Sequence, residues 1–178
     1  MTVPMVPFCA RFRELAFREM RVVGVARFRT LPPGEYGLLE FYCDEPGCDC
    51  RRVILQVLRT DTGERVWATI NYGWETLSYY RRWTVRRDAA VREIEHRRRS
   101  GRLDSMSFSC ASGHDRRMAG ASLDPLNEQS EHSEALLELF QQVVLPDVSY
   151  VERLKRHYEQ FKRHLWPGSR PMLDFMRN

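Results

Sequence analysis

Long apolar runs are missing from this chain. The longest, such as residues 22–26, are about five residues, whereas a membrane-spanning helix needs about 20, so no transmembrane segment is expected. Lysine is nearly absent: of 28 basic residues only Lys155 and Lys162 are lysines. Residues 1–10 have no basic start, Pro4 and Pro7 break their apolar stretch, and Arg11 and Arg13 follow at once. A secretory signal is therefore not expected, and the compartment read from the sequence is the cytoplasm. There is no repeat of 20–50 residues and no low-complexity tract. Also missing are G-x-G-x-x-G, the P-loop, the G-x-S-x-G elbow and H-E-x-x-H, which removes the familiar nucleotide-binding, hydrolase and metalloprotease templates.

What is present suits a packed domain. A hydrophobic share of 43% against 29% charged residues excludes wholesale disorder. At 178 residues the expectation is one domain, able to bury a core without disulfides. In a reducing compartment the five cysteines then read as thiols or metal ligands.

The N-terminal part reads as strands. Residues 19–28 alternate imperfectly through Met20, Val22, Val23, Val25 and Phe28. Leu31-Pro32-Pro33-Gly34 is a turn, because Pro fixes φ and Gly permits positive φ. Residues 36–42 and 52–59 follow as strands. Asp61-Thr62-Gly63-Glu64 is a hairpin signal before residues 66–72, where Val66, Ala68 and Ile70 alternate with Trp67, Thr69 and Asn71. These four strands predict an antiparallel meander. The aromatic-dense residues 74–83 are expected to pack on its edge. Thr84 is placed to cap a mostly exposed helix over 85–99, stopped by Ser100-Gly101. Residues 104–110 read as a short strand and 111–127 as a loop.

The C-terminal part reads as two helices. Residues 130–145 place Leu136, Leu137, Phe140, Val143 and Val144 on one side, and Pro146 ends that helix. Asp147 or Ser149 caps the next, with Ser149 and Glu152 fitting a capping box. Val148, Val151, Leu154, Tyr158, Phe161 and Leu165 then recur in steps of three and four. Glu152 with Arg156 and Glu159 with Arg163 are spaced for i,i+4 ion pairs. The fold expected is α+β: a small antiparallel sheet covered by a C-terminal helical hairpin, with a Cys-rich zinc loop. The division is a β-rich part over 1–128, carrying the Cys hairpin and the Arg-rich helix, and the helical hairpin over 129–178 packed on it as one unit.

The sharpest chemical feature is Cys43-Asp44-Glu45-Pro46-Gly47-Cys48-Asp49-Cys50, at the tip between two strands. Pro46-Gly47 suits the centre of a type II turn, folding Cys43 back toward Cys48 and Cys50. Three thiolates on one tight loop repel each other unless a cation neutralises them, and zinc does so tetrahedrally. A closed site needs a fourth ligand: Cys110 is the first choice and His114 the alternative, with Asp44, Asp49 and Cys9 behind them. The spacing is not the common two-residue knuckle, and iron–sulfur sets use other spacings.

Arginine is unevenly spread. Between residues 81 and 102 nine Arg stand against Asp88, Glu93 and Glu95. Arg81, Arg82, Arg97, Arg98 and Arg99 are thus candidate anion-binding residues. The plainer reading is a solvated helix face, since Arg is favoured throughout the chain and no aromatics interleave after Trp83. Cys110 with His114 passes as a nucleophile–base pair only in the sense that any Cys near a His does. His157 and His164 sit at the edge of an apolar stripe, where histidines usually pack and hydrogen-bond locally.

Phe41-Tyr42-Cys43, then Cys48-Asp49-Cys50-Arg51-Arg52-Val53, then Ala68-Thr69-Ile70-Asn71-Tyr72-Gly73-Trp74 resembles an uncharacterised bacterial family, a domain of unknown function with a Cys-x4-Cys-x-Cys hairpin element. Tyr150-Val151, His157-Tyr158 and Phe161-Lys162 are similar to the helical end of the same sort of protein. The resemblance implies no activity. The function expected is a zinc-stabilised, non-enzymatic binding module, with the zinc loop, Arg51, Arg52, Arg81 and Arg82 as its recognition surface. Its expected partner is a protein or a second copy of the chain, with nucleic acid at the arginine segment as the alternative and no membrane. The competing readings are a metal-dependent enzyme with an open metal position and a thiol redox sensor.

Overall fold

Alternating apolar residues in the N-terminal half build one antiparallel sheet of six strands. The computed structural model describes residues 5–45, 48–61, 65–99, 118–127 and 129–165, with the backbone alone at 88 and 90–99. The central strands are β3 (Gly34–Cys43), β4 (Arg52–Arg59) and β5 (Val66–Gly73). β3 pairs with β4 from Tyr36 opposite Arg59 to Phe41 opposite Ile54, and β4 pairs with β5 from Arg52 opposite Gly73. The expected meander is present, with β2 (Arg21–Val25) on the outer side of β3. Two further strands lengthen it. β1 (Met5–Pro7) pairs with the far end of β3, Met5 opposite Cys43, too short a segment for a period-2 pattern to reveal. β6 (Gly120–Leu123) pairs with β5 within the stretch expected to be a loop. Its small residues gave no strand signal, and the exposed edge of β5 supplies the pairing instead.

The helices correct two boundaries. α1 (Arg13–Arg18) is a short extra turn of helix before β2. α2 runs Leu77–Arg99, starting eight residues before the position expected from Thr84. Thr76, not Thr84, caps it, its hydroxyl accepting from the Tyr79 N–H at 3.2 Å. The aromatic stretch does pack against β5, Trp74 on Tyr72 and Tyr80 against Gly73, and from Leu77 it does so as the start of the helix. α3 (Ser133–Leu139) continues through a wider turn, Phe140–Val144, and α4 spans Val148–Leu165. Asp147 caps α4, its Oδ1 accepting from the N–H of Ser149 at 3.1 Å and of Tyr150 at 3.3 Å. The expected capping box does not form; Glu152 pairs instead with Lys155, and Arg156 reaches Glu19. Arg163 bonds the carbonyl of Glu159 rather than its carboxylate.

Period 2 puts Tyr36, Leu38 and Tyr42, then Val53, Leu55 and Val57, then Ala68, Ile70 and Tyr72 into one buried cluster. Leu136, Leu139 and Phe140 from α3 and Leu154, Tyr158 and Phe161 from α4 cover it. Each such side chain, fully buried, contributes roughly 1.5–3 kcal/mol. Gln129 ties the start of α3 to β5 by mimicking a strand: its amide accepts from the Thr69 N–H and donates to the Thr69 carbonyl, at 2.9 and 3.0 Å. Glu40 is the polar member of the β3 core face, between Leu38 and Tyr42, and it meets buried His157 of α4 at 2.7 Å. Among the described residues no helix is long and apolar enough to cross a membrane.

Candidate metal centre

β3 ends at Cys43 and β4 begins at Arg52, so the Cys loop is the connection between two paired strands. The Cys48 N–H donates to the Glu45 carbonyl at 3.2 Å, the i to i+3 spacing of a β-turn; the two residues between, on which the type II expectation rested, lie outside the described residues. Arg51 then takes a positive φ of 44°, a conformation that costs a non-glycine residue about 1–2 kcal/mol. It is held there from several sides. Its guanidinium bonds both oxygens of Asp49 at 3.1 Å and Glu75 at 2.9 Å, and lies 4.9 Å over the ring of Tyr79.

This geometry brings the three sulfurs together. The Sγ atoms of Cys43, Cys48 and Cys50 all lie within 4.8 Å of one another, with Cys43 and Cys50 buried and Cys48 half-buried. All three are free thiols. Their protons are shared unequally. Cys50 is held well below the ordinary thiol range by the S–H donors of Cys43 and then Cys48, against its burial, with Arg52 and Lys162 adding positive potential. Cys48 is pushed up by its bonds to Cys43 and Cys50 and then by burial. Cys43 is pulled down by Cys48, but Cys50 and burial outweigh this and push it up to about 11. Of the three, Cys50 is the thiol whose ionised form the surroundings favour most.

Positive charge faces this cluster. Lys162 of α4 has its ammonium Nζ buried with no hydrogen-bond partner, 5.7 Å over the ring of Tyr158. Arg52 bonds Asn71 at 3.4 Å and leaves its buried Nε unpaired. A buried cation without an acceptor costs several kcal/mol unless negative charge lies nearby, and Lys162 is placed to favour ionisation of Cys43 and Cys50.

The backbone of the loop is clamped from α2 and α4. Tyr79 donates to the Asp49 carbonyl at 2.6 Å and Tyr80 to the Arg51 carbonyl at 2.7 Å. Burial, before any charge effect, raises both phenols above their ordinary range and keeps them donors. The Arg51 N–H donates to the Tyr158 hydroxyl at 3.4 Å, and that hydroxyl donates to the Asp49 carboxylate at 3.1 Å. Arg87 pairs with Glu45 at 2.9 Å while lying 5.2 Å over Trp83, a charge contact without hydrogen-bond alignment. Gly73 permits the Tyr80 contact: a Cβ there would stand 1.9 Å from the Met118 carbonyl and 2.4 Å from the Tyr80 hydroxyl.

Several candidates fall into place. Asp49 is committed to Arg51 and Tyr158, and among the described residues no further Cys, His or carboxylate joins the sulfur group. Cys9 lies in the turn after β1, outside the sulfur group. Cys110 and His114 lie outside the described residues, as does the strand expected over 104–110. Arg51 and Arg52 are internal supports of the loop rather than a recognition surface, whereas Arg81 and Arg82 are exposed. Arg97, Arg98 and Arg99 are in α2, with their side chains outside the description. The sequence carries no signal for the part Lys162 and Tyr158 play at the loop, because a lysine or tyrosine on an amphipathic helix reads as rim or stripe.

No family model matches the chain, and neither curated proteins nor solved structures give a match.

Proposed function

We propose that Cys43, Cys48 and Cys50 hold one zinc ion that staples the end of β3 to the start of β4, and that the chain is a non-enzymatic binding module built around this staple. The observation that carries the reading is the convergence of three sulfurs within 4.8 Å. A tetrahedral zinc with bonds of about 2.3 Å has sulfur–sulfur edges of roughly 3.8 Å, so the loop needs to contract by no more than about 1 Å. The buried Lys162 ammonium and Arg52 suit the net negative charge of a zinc–thiolate centre. The fourth position goes to Cys110 first and His114 second.

A thiol redox sensor fits less well. Sensor cysteines are accessible, whereas here Cys43 and Cys50 are buried, Cys50 at 1% exposure, and Cys48 is half-buried. Zinc binds thiolates and so displaces protons from the thiols, and affinity falls as pH falls.

The test is elemental analysis of protein purified without chelator. One zinc per chain is expected, lost in Cys48→Ser and reduced in Cys110→Ser if Cys110 is the fourth ligand. Chelation should lower the thermal midpoint, because the metal's binding energy is folding energy. Metal-free protein with all five thiols titrating freely overturns the reading.

A further inference from the structure

The chemistry of α2 is not used up by the metal centre. Over Leu77–Arg99 the helix has eight arginines against Asp88, Glu93 and Glu95, and its 23 residues extend about 35 Å. Its first turns are rooted, through Tyr79, Tyr80 and Arg87, on the Cys loop. The opposite side is open: Arg81, Arg82, Val85, Arg86 and Ala89 are exposed. Steps of four relate 81 to 85 and 89, and 82 to 86, so these residues form one face. Arg81, Arg82 and Arg86 have no ion-pair partner among the described residues, whereas Arg21, Arg51, Arg59 and Arg156 are each paired with a carboxylate.

We propose that this face of α2 docks on double-stranded nucleic acid through its phosphates. The guanidinium fork fits phosphate oxygens, and the major groove, about 12 Å wide, admits a helix. The face itself rejects the other polyanions. Single strands need exposed aromatics to stack on, but Tyr79 and Tyr80 are buried and Trp83 lies under Arg87. A membrane surface needs a broad apolar face, and between the arginines there are only Val85 and Ala89. The proposal rests on the reading of the chain as a binding module, not on the metal.

The experiment is fluorescence anisotropy of the full chain with a mixed-sequence duplex of about 20 base pairs, from about 50 to about 200 mM salt, with zinc content measured on the same samples. Three phosphate contacts predict a fall in affinity of about 40-fold over that range. Arg81→Gln, Arg82→Gln and Arg86→Gln together should flatten the slope of log K against log salt by about 2.7, and Arg82→Gln alone by about 0.9. The same charge removed around α1, by Arg11→Gln, Arg13→Gln and Arg18→Gln, should leave it unchanged. Four results overturn the proposal: no duplex binding at about 10 μM protein in low salt, an unchanged slope in the α2 variants, an equal loss in the α1 variant, or preference for single strands or phosphatidylserine vesicles. A zinc-free protein that still shows the arginine-dependent slope would separate the two proposals, sinking the metal and keeping the interface.

Discussion

Replacing His157 by alanine should destabilise the fold by about 3–5 kcal/mol. The ring is 1% exposed, stacked on Phe8 at 4.3 Å, with Glu40 at 2.7 Å on Nδ1 and Glu19 at 3.2 Å on Nε2. Truncation removes the ring's packing and strands the Glu40 carboxylate, itself 9% exposed, with only the Tyr42 hydroxyl at 2.8 Å. For a chain of this size each kcal/mol is worth about 2–4 °C, so the midpoint should fall by roughly 10 °C. A buried pair of this kind often gains nothing over apolar packing of similar volume, however. Tyr42 also donates to the Leu154 carbonyl at 3.1 Å, so Tyr42 keeps an acceptor when Glu40 is removed. Glu40→Met with His157→Leu should therefore recover to within about 1.5 kcal/mol of the parent. Chemical denaturation of the four proteins of the cycle measures the coupling. An alanine cost below about 1 kcal/mol, or a double variant as unstable as the sum of the singles, refutes the reasoning.

Three further outcomes follow from named contacts. Burial works against the ionised form of Glu19, but bonds from Arg156 and His157 outweigh it and hold its pKa below the ordinary 4.5. The stability it contributes is complete above that value and is lost as pH falls through the lowered one; Glu19→Gln should flatten this acid limb, and an unaltered limb in acid unfolding would count against the contact. Lys162→Met should weaken zinc binding about tenfold or more in chelator competition, with Lys162→Arg retaining most of it; equal affinity in all three proteins would show that the buried ammonium does not serve the thiolates. Gly73→Ala should cost more than about 2 kcal/mol in denaturant unfolding, since its Cβ would meet the Met118 carbonyl and Tyr80; a neutral effect would mean the contact relaxes freely.

The sheet and helical hairpin were legible because their signals are periodic and their energetics local to each face. Val53, Leu55 and Val57 alternate, and Leu154, Tyr158 and Phe161 step by four and three. Asp147 was read as one of two caps because both Asp147 and Ser149 have the right chemistry; its Oδ1 takes three hydrogen bonds, from two N–H groups and the Ser149 hydroxyl. The start of α2 differs because Thr76 and Thr84 share the same capping chemistry, and what selects Thr76 is tertiary: Tyr79 and Tyr80 pack on Met118 and reach the Cys loop. β1 and β6 were missed since an edge strand of three or four residues is decided by its partner. The sulfur trio was legible from spacing alone. Its supports were not: nothing in Arg51 announces a left-handed residue, and the contacts of Lys162 and Tyr158 with the loop join positions more than 100 apart in sequence.

The two proposals meet at the hairpin tip, and this has a thermodynamic consequence. The carbonyls of Asp49 and Arg51, beside the sulfurs, are the acceptors that fix Tyr79 and Tyr80 at the root of α2. A zinc ion bound as proposed would contract the loop and so set the carbonyl positions on which the arginine helix is mounted. If loading raises duplex affinity by some factor, duplex must raise zinc affinity by the same factor, since coupling free energy is reciprocal. Modest coupling is expected, several-fold and not hundreds, because two hydrogen bonds of about 1 kcal/mol each join the elements. Zinc titrations in a competing chelator, with and without saturating duplex, measure one side, and duplex titrations of loaded and stripped protein the other. Tyr79→Phe with Tyr80→Phe should abolish the coupling while leaving the sulfur ligands and Arg81, Arg82 and Arg86 in place. Coupling that persists in that variant would place the link elsewhere than in the two phenols.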